Sequence, residues 1–163
     1  ASRPRGSIRY PLQTVSPRCR VALPQEATVD HKTIVRNFYA ALTEGRLEVV
    51  DDVLAEGFVE HEQVPQLAPG RDGVRELFRA LHASFTDFAM TVDDMVAEGD
   101  KVFIRCTMQG IQRAEFMGIP SLGKPMLVPV ADVMRFEGGR IVEHWGVMDS
   151  GMLLQQLTEA GTP

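Results

Sequence analysis

Cysteine is nearly missing from this chain: Cys19 and Cys106 are the only two in 163 residues. Two thiols so far apart exclude a disulfide framework and a cysteine zinc site, and leave the cytoplasm as the default location. No stretch approaches the roughly 18 to 20 continuous apolar residues of a membrane-spanning helix, so neither a helical membrane protein nor a membrane partner is expected. Gly-rich phosphate loops and a Gly-x-Ser-x-Gly elbow are missing too, which argues against nucleotide chemistry and covalent serine hydrolysis. His61-Glu62 has no histidine three residues on and is not a zinc-protease motif. No cofactor and no metal is expected.

Acidic residues are absent from the first 25 positions, which carry five arginines: Arg3, Arg5, Arg9, Arg18 and Arg20. All 22 Asp and Glu lie beyond them with the other twelve of the 17 basic residues, a formal charge of -10 against -5 for the whole chain. Residues 1–27 also hold Pro4, Pro11, Pro17 and Pro24 and no apolar run suited to an export signal. They read as a leader, whether a tag, a transit-like segment or a mis-started extension, and residues 28–163 as one domain. An acidic body repels phosphate backbones, so no nucleic acid partner is expected.

What is present is a helix-then-strand pattern. Thr28 is a candidate N-cap and Asp30 suits the positive end of a helix dipole; Ile34, Val35, Phe38, Tyr39 and Leu42 then recur at helical spacing up to Gly45. A second helix carries Leu47, Val50, Val53 and Leu54 and stops at Gly57, before an extended Phe58–Glu60. A third spans about Asp72 to Ser84. Residues 88–98, 101–115, 125–137 and 140–148 are strand-like, and the joints Gly99-Asp100 and Gly138-Gly139 are short enough for tight hairpins. A last helix runs from about Gly151 to Glu159. The expected class is α+β: a curved antiparallel sheet packed on one face by helices, able to curl around an internal pocket.

Strand alternation selects the candidates for chemistry. Phe103, Arg105, Thr107 and Gln109 share one face of their strand and Val102, Ile104, Cys106 and Met108 the other. Arg105 is thus either a solvent-facing charge or a cavity cation. Asp132 lies between Val130 and Met134 on an apolar face, where an ionised carboxylate is costly unless paired. It either has a partner or has a raised pKa, and a raised pKa suits a group that donates and accepts protons near neutral pH; it also reads as a structural Asp bonded to neighbouring backbone. His144 faces opposite Trp145 and is the side chain best matched to proton transfer at neutral pH; as a lone strand histidine it also reads as a satisfied core residue. Trp145 reads as packing, and Asp149 as an N-cap in competition with Ser150. His61 with Glu60 sits at the mouth after the second helix. Met90, Met108, Met117, Met134 and Met148 suggest an adaptable apolar interior for a bulky ligand.

The runs Gly99–Arg105, Glu115–Pro120, Gly123-Lys-Pro and Met134–Trp145, with Asp149, Phe38-Tyr39 and Phe58-Val-Glu-His61, resemble the SnoaL-like polyketide cyclases and ester cyclases of the nuclear-transport-factor-2-like superfamily. The resemblance covers about residues 30–160. It implies a cone-shaped roll whose open end admits a hydrophobic small molecule, in a homodimer or higher homo-oligomer, and an intramolecular aldol closure that needs no cofactor. The cyclases' acid/base Asp, two residues beyond the strand His, falls on Gly146; their preceding-strand His falls on Asp132 and the strand His on His144. The reading that follows is a cofactor-independent cyclase or isomerase of a polyketide-like carbonyl compound. Asp132 or His144 is its base, and Arg105, His61 or protonated His144 the donor to the enolate. Glu60, Phe38, Tyr39, Phe116, Met134, Trp145 and Asp149 are expected to line the substrate site. Epoxide hydrolysis using Glu60 and Asp132, and a noncatalytic binding module, are the alternatives.

Overall fold

The computed structural model describes residues 30–158 except 63, 65 and 66. The proposed leader, Thr28 and Cys19 lie outside the described residues. Helix α1 (His31–Thr43) is capped by Asp30, whose carboxylate accepts from the Lys32 N–H at 3.2 Å. Asp30 thus fills the role assigned to Thr28. Short α2 (Val49–Val53) leads directly into strand β1 (Leu54–Glu60), followed by α3 (Gly70–Ser84), β2 (Phe85–Glu98), β3 (Lys101–Gln112), β4 (Pro125–Glu137), β5 (Arg140–Met148) and α4 (Ser150–Thr158).

The expected second helix is corrected here. Leu54 is already extended and pairs with Ile141. A place in the sheet buries Leu54 and gives its carbonyl the Arg140 guanidinium at 3.2 Å, which a further helical turn would forfeit. The antiparallel expectation is corrected as well. The order is β1-β5-β4-β3-β2, and β1 joins β5 in parallel, so the sheet is mixed. It stays open, with β1 and β2 as its edges. Register shifts in the β1–β5, β2–β3 and β4–β5 pairings bend the strands and curve the sheet.

Alternation then builds the core. Val102, Ile104, Cys106 and Met108 on β3, with Met126, Val128, Val130, Met134 and Phe136 on β4, are buried against the helices. Phe38, Tyr39 and Leu42 of α1 face them. Gly138 and Gly139 both take positive φ in the β4–β5 turn, the conformation a two-residue hairpin requires. Where β5 ends at Met148, the Gln156 side-chain amide of α4 bonds both the N–H and the C=O of Leu127, continuing the ladder from a helix. Among the described residues no helix is long and apolar enough to cross a membrane.

Candidate active site

Between the sheet's concave face and α1, α3 and β1 lies a cavity of about 670 Å³. Its walls are apolar, and all five methionines singled out from the sequence line it. Phe38, Tyr39, Phe116 and Met134 also line it, as does Glu60. Among the described residues four charged ones reach the cavity, Glu60, Glu62, Asp132 and His144, and strand register brings Glu60, Asp132 and His144 together.

His144 of β5 is paired with Glu60 in the parallel ladder and with Met134 in the antiparallel one, which sets Asp132 on its diagonal. His144 Nδ1 lies 2.8 Å from both Glu60 carboxylate oxygens. Its Nε2 lies 3.3 Å from Asp132 Oδ1, an ion pair at that distance, yet the ring is turned so that no aligned hydrogen bond forms. The other oxygen of Asp132 accepts the Tyr39 hydroxyl, delivered from α1. Asp132 is 2% exposed.

Electrostatics follow from this geometry. Burial pulls the His144 pKa down, but the Asp132 and Glu60 carboxylates on either side more than reverse that, to about 10. His144 is therefore an imidazolium at neutral pH. Burial holds the Tyr39 phenol well above its ordinary range, reinforced by the Asp132 charge, so it stays a donor. Burial also raises Glu62; His144 opposes the shift, and Asp132 and Glu60 add to it.

Four expected site residues lie elsewhere. Arg105 is on the convex face, where its guanidinium bonds Asp94 at 2.6 Å and Asp93 at 3.0 Å. The all-apolar partner face of β3 took the core, which leaves a charge on the opposite face to water. Trp145 alternates with His144 and so points outward, stacked on the His61 ring at 4.5 Å between centroids. His61 is also 3.4 Å from Glu143, on that same outer surface. Asp149 is exposed and accepts the Met152 N–H at 2.8 Å as a helix cap. None of these four lines the cavity. Sequence reasoning in turn missed Glu62 as a cavity group. The available signal was its nearness in sequence: it lies two residues beyond Glu60, although β1 ends at Glu60 and the chain bends at Glu62.

Fold and site together define a small α+β protein built around a ligand-sized pocket with a buried ionic cluster. The model of the SnoaL-like polyketide cyclase family matches residues 32–157. The chain belongs to that family. It is similar in structure to TsrD from Streptomyces laurentii, at 31% identity over 78% of this chain and 94% of that one, with a TM-score of 0.72. IdmH from Streptomyces antibioticus, a proposed polyketide cyclase, is 32% identical over 80% and 99% of the two chains, TM-score 0.69. AclR from Streptomyces galilaeus, a proposed hydroxylase, is 25% identical over 80% and 96%, TM-score 0.69. No curated protein matches the chain.

Proposed function

We propose that the chain closes a ring in, or isomerises, a neutral hydrophobic carbonyl compound of polyketide type by acid/base catalysis without a cofactor. The observation that carries this reading is the convergence of one buried imidazolium and three carboxylates at the polar end of an apolar chamber. A carbanion α to a carbonyl needs a base to form it and a positive donor to hold the charge on oxygen. His144, protonated at neutral pH with Nδ1 held by Glu60 and Nε2 buried against Asp132, supplies that positive charge through space and is not suited to be the base, so a carboxylate takes the proton. Three carboxylates facing one cation favour a ketone or ester over a carboxylate ligand. Orientation of the folded chain by the Met-rich walls supplies much of the remaining rate. For the homodimer expected from the sequence, Val96, Phe103, Leu127 and Val147 are exposed apolar side chains.

Epoxide opening draws less support, because Glu60 already holds His144 Nδ1 with both oxygens and the Glu62 N–H with one. The test uses aryl β-keto esters of graded length as probes, incubated in D2O, with α-deuteration and ring closure read by mass spectrometry and NMR. Expected is α-exchange well above the buffer rate and its loss in Asp132→Asn. Exchange at the buffer rate for every probe overturns the proposal.

A further inference from the structure

Gly146 stands in mid-strand, where a glycine weakens the sheet and marks close approach by another group. Here that group is a carboxylate. A Cβ placed on Gly146 would overlap Glu62 Oε2 and come within 3.0 Å of His144 Cε1. The chain bends after β1, where the Glu62 N–H donates to Glu60 Oε1 at 2.9 Å, and the Glu62 carboxylate reaches Gly146 of β5. The carboxylate thus fills a volume that any other residue at 146 would claim.

The three cavity carboxylates also differ in what already holds them. Asp132 is bonded by Tyr39 on one oxygen and paired with His144 on the other. Glu60 is committed to His144 Nδ1. Among the described residues the Glu62 carboxylate accepts no hydrogen bond, though it lines the cavity beside the imidazolium. A base must have a lone pair free to reach the substrate, and Glu62 is the carboxylate here with both oxygens free.

Building on the acid/base reading above, we infer that Glu62 is the catalytic base of this site, admitted by the missing side chain at Gly146, while Asp132 and Glu60 position and charge His144. The α C–H bond of the substrate breaks, its proton passes to Glu62, and the electron pair enters the enolate whose oxygen faces the His144 imidazolium. The enolate carbon then bonds to a second carbonyl carbon within the same molecule. The proton on Glu62 returns to the resulting alkoxide, so the step is redox-neutral and leaves the enzyme unchanged. Burial raises Glu62 toward the working pH, as such a base requires, with His144 of β5, Asp132 of β4 and Glu60 of β1 as the charges that face it.

The experiment follows α-deuteration of the same aryl β-keto esters across pH for the parent chain, Glu62→Gln, Glu62→Ala and the double variant Glu62→Ala with Gly146→Asp. Expected for Glu62→Gln is a fall of about 10² to 10⁴ with the loss of the acid limb of the profile. The double variant, which returns a carboxylate to the same volume from the neighbouring strand β5, should recover at least about tenfold over Glu62→Ala. Parent exchange with Glu62→Gln within about threefold, an effect under about 1 kcal/mol, overturns the assignment to Glu62 and leaves the acid/base reading standing. A double variant no faster than Glu62→Ala overturns it too. A parent without exchange overturns both.

Discussion

Two charged clusters sit on opposite faces of one sheet, and each sets one basic side chain between two carboxylates. On the convex side Arg105 joins Asp93 and Asp94 with its side chain 51% exposed. On the concave side His144 joins Asp132 and Glu60, the side chains of the first two only 15% and 3% exposed. Water screens the outer cluster, so its bonds count for little. Inside, the His144 charge depends on its carboxylate partners to be there at all. Position on the pleat, more than residue type, decides whether a charge can do chemistry.

The contrast breaks most severely at His144. His144→Ala leaves carboxylates facing one another without their cation, and should cost about 3 to 5 kcal/mol in urea unfolding at neutral pH along with the α-exchange activity. The sign of its pH dependence is fixed. With a folded pKa of about 10 against 6.5 for a free histidine, the stability from His144 is full below 6.5 and is lost as pH rises through 10. The gap between parent and variant should therefore narrow steadily from pH 6.5 to 10. A gap that widens over that range would show that the ring is not held as a cation. Tyr39→Phe is expected to have a smaller effect, about 1.5 to 3 kcal/mol, from the lost bond to a buried carboxylate. The smallest belongs to the other face: Arg105→Ala should leave the urea midpoint and the exchange rates essentially unchanged, with any small shift in the midpoint fading in salt.

What could be read from the sequence divides along the same line. Alternation set Asp132 on the apolar face of β4 and His144 opposite Trp145 on β5, but their meeting depends on a β4–β5 register that shifts between Arg135 and Phe136, which no local signal marks. The hairpins were legible because Gly99-Asp100 and Gly138-Gly139 are local devices. Arg105 was misplaced although its own face was correctly drawn. The solid apolar run Val102, Ile104, Cys106 and Met108 had already claimed the core, and that was the deciding clue. Trp145 and His61 went astray for a different reason: each has the chemistry of a site residue, yet their stacking on the outer surface depends on a parallel pairing of β1 that no local pattern announces. Glu62 meets Gly146 across 84 residues of chain. An absent side chain gives no sign of what fills its place.

Cys106 lies on the same core face, behind the ionic cluster, fully buried, its thiol pushed up to about 12 by burial and by the nearby Asp132. A thiol so placed is protonated at any working pH and out of reach of reagents in solution. Modification there must wait for β3 to part from its neighbours, so its rate keeps time for the opening of the sheet's centre. The same core residue gives the protein an internal clock, one that starts only when the centre of the sheet comes apart.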